Sequence, residues 1–164
     1  MLLLRRSPSR GSENIMLRLL LFLSLLILPT HPLWAATPPA TGMLRVNISG
    51  IRPLAGGQLR VALFRGARGW PKLTRALRLQ TLPVAAEQTE VAFPGLPPAD
   101  NYAIEVHHDE NGNGKVDMRW FPYPRPKEGV GVSNNRIGFG PPDFTDARFR
   151  LDGAEKTIEI RMHY

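Results

Sequence analysis

Beyond residue 35 the chain reads as an all-β domain, a Greek-key β-sandwich of about seven strands with one long irregular loop. Three observations predict this. Apolar and polar residues alternate at period two in most segments, glycine and proline cluster between those segments, and no stretch holds a convincing helical period. Leu44, Val46 and Ile48 alternate with Arg45, Asn47 and Ser49, as in a strand with one buried face. Gly50 and the segment 53–57 turn the chain. The next segment, 58–64, is apolar on both faces at Val61-Ala62-Leu63-Phe64, which predicts a central strand. Gly66, Gly69 and Pro71 break it. Leu73, Leu77 and Leu79 fit a helical turn and a strand equally, and 72–86 is read as a loop leading into a strand. Thr89, Val91 and Phe93 mark another strand, stopped by Pro94-Gly95-Leu96-Pro97-Pro98. Tyr102, Ile104 and Val106 carry a strand straight into Asp109. Phe149 and Leu151, then Ile158, Ile160 and Met162, give two more, and Asp152-Gly153 between them resembles a hairpin turn.

The segment before this domain has a different grammar. Arg5, Arg6, Arg10 and Arg18 lead into an apolar run that reaches Leu28 with Ser24 as an interruption, and Pro29 stops it. That run is shorter than the about 20 residues a spanning helix needs, and Leu33-Trp34-Ala35 ends it with a small residue suited to signal peptidase. The expectation is a signal peptide at 1–35, a flexible Pro/Thr/Ala lead at 36–42 and one domain at 43–164, periplasmic or secreted, with no transmembrane anchor after cleavage. Met16 is an alternative start. The chain has no cysteine, which excludes a thiol nucleophile, a thiolate metal site and a lipidated cysteine.

The formal charge is +7, of which the presequence supplies three. From 37 to 86 there are eight basic residues and no acidic one, and from Glu87 onward 13 acidic and nine basic. Opposite charges meeting across neighbouring strands account for this asymmetry, and an anionic surface or glycan is the functional alternative. Nucleic acid is excluded as a partner, since no nucleic-acid module is present.

Alternation lapses between Asp109 and Phe144. A long ordered loop in a small domain is usually functional or metal-stabilised. It opens with Asp109-Glu110-Asn111-Gly112-Asn113-Gly114-Lys115-Val116-Asp117, which sets oxygen side chains at the first, third, fifth and ninth positions of a calcium loop. Glycine stands sixth, and Lys115 offers its backbone carbonyl seventh. Trp120 occupies the twelfth position in place of a bidentate Glu, so Glu128 or Asp143 would have to complete the sphere. The alternative is that tandem Asn-Gly pairs are turn formers whose side chains cap backbone amides. His107 and His108, adjacent on a strand, point to opposite faces and cannot easily bind one ion. His108 continues the apolar face and is expected to orient the loop as a hydrogen-bonded core-edge residue. Lys127 to Asn135, including Ser133 and Asn134, reads as a tightly turned, self-bonded loop. Ser133 with His108 and Asp109 has the composition of a hydrolase triad but no nucleophile-elbow context. Trp120, Phe121, Tyr123, Phe139 and Phe144 are expected as anchors packed over a sheet end.

The run from His108 to Asp117, then Pro126-Lys127-Glu128-Gly129, Gly131, Ser133-Asn134-Asn135, Pro142, Phe144 and Asp146-Ala147, resembles the bacterial exported family known as domain of unknown function 2141. The resemblance spans nearly all of 44–164. It implies a small Ig-like or transthyretin-like sandwich outside the cytoplasm, with no established activity or catalytic residue. Segment 118–127 departs from the family pattern in being longer and richer in proline. The functional expectation is therefore a non-enzymatic binding or accessory module, calcium-stabilised if the loop holds an ion, with an envelope protein or glycan as partner. An envelope hydrolase using Asp109, Asp117, Glu128 and His108 is the alternative, and a ligand-free spacer a third.

Overall fold

The computed structural model describes residues 41–138 and 140–164. The expected signal peptide and most of the lead lie outside the described residues, as does Phe139. Among those described, no helix is long and apolar enough to cross a membrane.

Two sheets face one another. In the first, β1 (Gly42–Ser49) lies between β4 (Gln88–Leu96), to which it is antiparallel, and β10 (Glu155–Arg161), to which it is parallel. In the second, β2 (Gln58–Arg65) and β5 (Ala99–Asp109) are central, with β3 (Arg78–Pro83) and β8 (Gly129–Val132) outside them. A short β9 (Phe149–Leu151) runs alongside β5. The two-residue strands β6 (Met118–Arg119) and β7 (Arg125–Pro126) pair as a separate ribbon.

The inward faces supply the core: Leu44, Val46 and Ile48 from β1, Val91 and Phe93 from β4, Leu59, Val61 and Leu63 from β2, and Tyr102, Ile104 and Val106 from β5. Each fully buried side chain of this size contributes about 1.5–3 kcal/mol over exposure. Residues alternate because a pleated strand presents successive side chains to opposite faces, so the period-two segments of the sequence are the core strands. The doubly apolar β2 buries its second face as well: Ala62 and Phe64 pack with Leu73 on the outer side of the second sheet. Trp70 meets Phe64 edge-on at 5.1 Å and Phe144 at 5.9 Å, and its indole N–H donates to the Pro142 carbonyl at 2.7 Å. The second sheet is thus covered on both faces.

Two sequence expectations are corrected. Asp152-Gly153 does not close a hairpin, because β9 pairs with β5 in one sheet and β10 with β1 in the other. The turn signal marks a crossover. Residues 127–135 are not one self-bonded loop, because Gly129–Val132 forms β8, from His108 opposite Gly129 to Glu105 opposite Val132. The strand hides in the sequence for a steric reason. A Cβ on Gly129 would lie 2.5 Å from the Tyr164 ring, and one on Gly131 would lie 2.7 Å from Ile160, so both inward positions are glycine and the apolar alternation disappears. With β6, β7 and β8, ten strands occur among the described residues.

Candidate functional site

The long irregular region begins where β5 ends, and β5 presents Ala103, Glu105, His107 and Asp109 to the outer face of the second sheet. His108 points the other way. It is buried, its Nε2–H donates to the Gly56 carbonyl at 2.7 Å, and its Nδ1 meets the Tyr164 hydroxyl at 2.7 Å. The same hydroxyl accepts the Arg52 amide at 3.1 Å, and burial, the largest influence on this phenol, raises it above its ordinary pKa. His108 therefore ties the base of the loop to two other segments.

Asp109 is fully buried on the opposite face. Its Oδ2 accepts the Gly114 amide at 2.9 Å and the Gln58 side-chain amide at 3.2 Å, while Oδ1 is buried without a hydrogen-bond partner. Burial pushes this carboxyl up, but the Gly114 amide, Gln58 and the neighbouring His107 together outweigh it and leave the pKa below its usual value. The loop then winds through two Asx turns. Asn111 Oδ1 accepts the Asn113 amide at 3.0 Å, and Asn113 Oδ1 accepts the Lys115 amide at 2.7 Å. Both carboxamide nitrogens converge on Asp117 Oδ2, at 2.7 Å from Asn111 and 3.2 Å from Asn113. Gly112 and Gly114 take positive φ, which these windings require. Arg60 Nη1 donates to the Gly114 carbonyl at 2.5 Å and holds the loop against β2.

Glu128, just before β8, braces this loop from below. Only 4 % exposed, it accepts from His107 Nε2 at 2.8 Å and the Asp117 amide at 3.1 Å through Oε2, and the Glu110 amide at 3.1 Å through Oε1. One carboxylate thus joins the first and last turns of the loop to β5. The sequence offered Glu128 as a ligand closing a calcium sphere; its oxygens face the Glu110 and Asp117 amides and the His107 imidazole. Asp143, the other candidate, caps the single α1 turn (Phe144–Ala147) by accepting the Thr145 amide at 2.8 Å. Those bonds from Thr145 hold its carboxyl below the usual carboxylate range.

Ser133 is also engaged by the framework. Its Oγ accepts the Ile104 amide at 3.0 Å and donates to the Ala147 carbonyl at 2.5 Å. Asn134, in the left-handed region at φ 64°, donates to the Asp146 and Arg148 carbonyls at 2.9 and 3.0 Å. Asn135 bridges to β10, donating to the Glu159 carbonyl and accepting the Arg161 amide. The structure brings Asp109, Asn111, Asn113, Lys115, Asp117 and Glu128 together. It separates His108 and Ser133 from them and from each other's reacting atoms. Among the described residues, no group of three or more His, Asp or Glu is placed to hold a metal ion.

Sequence reasoning missed the feature next to the loop. Above the outer face of β5 and β8 lies a cavity of about 510 Å³ walled by Pro71, Met118, Trp120, Tyr123, Val130 and Val132, with Glu105 on its floor. Glu105 is 7 % exposed and its Oε2 has no hydrogen-bond partner. Burial pushes its carboxyl up to about 8, with no charge near enough to offset it. Glu105 reads in the sequence as an ordinary outward residue of an alternating strand. The signal that could have found it is the doubly apolar β2 beside it, which implies that the outer face of this sheet is covered too. The aromatics are corrected in part: Trp120 and Phe121 are 73 and 84 % exposed, whereas Phe144 packs as an anchor.

A two-sheet β-sandwich with one braced loop and one covered outer face is the class of protein that these features define. The chain belongs to the DUF2141 family, described as an uncharacterized protein conserved in bacteria, whose model matches residues 46–159. No curated protein and no solved structure matches the chain.

Proposed function

We propose that this protein is an exported, non-enzymatic binding module that holds a small molecule on the outer face of its second sheet. The observation that carries the reading is the apolar cavity of about 510 Å³ with a buried, unpartnered carboxyl on its floor, a size and character typical of pockets of about 300–1,000 Å³ that take small ligands. The hydrolase alternative loses support because the polar atoms of His108, Ser133 and Glu128 are spent on backbone groups and on the side chains of Tyr164 and His107. A nucleophile or base needs a free atom within reach of a substrate. Thermal-shift screening of the protein against apolar small molecules, glycans and envelope fragments tests the binding reading. At least one class should raise the melting temperature of the wild type and fail to raise that of Val130→Trp, which fills the cavity. No response from any class would sink it.

A second reading concerns the Asp109 loop and rests on the orphaned, buried Asp109 Oδ1. Asp109, Asn111, Asn113, Asp117 and the Lys115 carbonyl would be the oxygen donors for calcium, which would give the Asp109 oxygen a partner and offset the two carboxylate charges. At 100 times the dissociation constant, calcium would then stabilise the fold by about 2.7 kcal/mol. Asp109→Asn and Asp117→Asn should each abolish that gain. A melting temperature indifferent to EGTA and to millimolar calcium leaves the loop as turn chemistry alone. Export is supported by the basic, apolar and small-residue succession of 1–35. Mass spectrometry of protein from the cell envelope should find an N-terminus near Ala36; an intact Met1 or Met16 would count against cleavage.

A further inference from the structure

The cavity over β5 has an uneven chemistry. Its walls are carbon, its floor carries one acid, and the charged groups at its rim, Lys72 and Arg125, are both cations. Trp120 stands at the edge and remains largely exposed. Such a site discriminates by what a ligand offers to the floor.

An ammonium is disfavoured there on two grounds. It would have to ionise Glu105 inside an apolar enclosure, and the desolvation of a buried ion pair commonly cancels its Coulomb gain. It would also pass two like charges at the rim. A carboxylate pushed to the floor would give up its own hydration against an acid with a single proton to share. An uncharged oxygen meets neither cost. Glu105, whose own burial holds it up to about 8, is a hydrogen-bond donor at neutral pH, and its Oε2 lacks a partner.

We propose that the cavity binds a small apolar molecule that presents one uncharged hydrogen-bond acceptor, a carbonyl, ether or hydroxyl oxygen, to the Glu105 carboxyl. The proposal rests on the binding-module reading above and adds the class of ligand. The long stems of Lys72 and Arg125 complete the wall while their charges stay in water. Trp120 and Tyr123 contribute flat apolar surface at the mouth, with the Arg125 guanidinium 5.6 Å from the Tyr123 ring centre. An acceptor that satisfies the acid removes the penalty of an unpartnered buried group, which gives the site orientation as well as affinity.

The probe is propionyl-dimethylaminonaphthalene, an uncharged ketone dye whose emission shifts to the blue in apolar surroundings. It is titrated into the purified protein at about pH 6 and about pH 9, on either side of the Glu105 transition. Saturable, blue-shifted binding is expected at the lower pH, weakening about tenfold at the higher pH as the acid loses its donor. Other titratable or charged groups lie around Glu105: His107 on its own strand, Glu128 bonded to that imidazole, Arg60 across on β2, and Lys72, Arg125 and Tyr123 in the walls. Glu105→Gln separates them from it, because the amide still donates. That variant should bind at both pH values with little difference.

Val130→Trp should abolish binding. Trp120→Ala, at an exposed position where folding is not at stake, should weaken it several-fold. Competition distinguishes the two levels of the argument. Decanol should displace the dye better than decylamine or decanoate. If decylamine displaces it better, above all at the higher pH, the acid recognises a cation and the ligand class is wrong while the binding module stands. If the wild type shows no saturable signal beyond that of Val130→Trp, and no competitor binds, both readings fall.

Discussion

Glu105 and Asp109 stand four residues apart on the same face of the same strand, and both are buried, yet their environments drive them in opposite directions. Asp109 receives the Gly114 amide and the Gln58 side chain, and its carboxyl lies below the usual range despite its burial. Glu105 receives no donor, and burial alone lifts it to about 8. Burial raises both carboxylates, and the donors that Asp109 has and Glu105 lacks help to set them apart. One end of the strand is a braced polar knot in which the protein satisfies most of its own groups; the other is an apolar chamber that leaves an acid waiting for a partner. The first has the character of structure, and the second is where we propose that a ligand binds.

The largest expected effect comes from dismantling the braced end. Glu128→Ala removes one carboxylate from His107, the Glu110 amide and the Asp117 amide at once. Breaking a buried pair on one side typically costs about 3–5 kcal/mol, because the abandoned groups stay buried. Urea denaturation should show a loss of that size. A loss below about 1 kcal/mol would mean that water replaces the carboxylate and that the brace is dispensable.

At the chamber end the sign reverses and depends on pH. The folded state holds a proton on Glu105 up to about 8, whereas the unfolded chain releases it near its ordinary value of about 4.3. Between those limits the folded state binds the extra proton, so Glu105 lowers stability progressively as pH rises from the unfolded value to the folded one. Glu105→Gln lacks this penalty. Relative to wild type it should be neutral at about pH 4 and more stable by roughly 2–4 kcal/mol at about pH 8. Parallel denaturation curves for the two proteins across that range would show Glu105 to be an ordinary surface acid.

How much of this contrast could be read from the residues depends on where alternation survives. The core strands β1, β2, β4 and β5 were legible because each keeps apolar side chains at every second position facing one interior. The cluster at 109–117 was legible because oxygen side chains and glycines recur at spacings that force a tight winding. Strand β8 was not, since Gly129 and Gly131 stand where Tyr164 and Ile160 leave no space for a Cβ. Nor was the crossover after β9, because Asp-Gly specifies a turn and not the sheet that receives the next strand. The partners of Glu128 were not legible, for sequence shows that an acid is present but not which amides it faces. Glu105 escaped notice because a strand covered on its outer face still alternates in polarity when its cover is built from distant segments.

The smallest expected effect completes the comparison. Asp109→Asn, in calcium-free buffer, keeps an oxygen for the Gly114 amide but loses the charge, and charge-assisted hydrogen bonds are about twice as strong as neutral ones. The expected cost is about 1 kcal/mol, opposite in sign to the effect of Glu105→Gln at alkaline pH. Strand geometry puts the two positions about 13 Å apart, far enough for independent substitutions to add within about 0.5 kcal/mol. The double variant should therefore unfold with the sum of the two effects. His107 lies between them with its Nδ1 buried and unpartnered, and it is a group through which they could communicate. A departure from additivity beyond about 1 kcal/mol would mean that the three side chains act as a single buried polar row, with chamber and knot as its two ends.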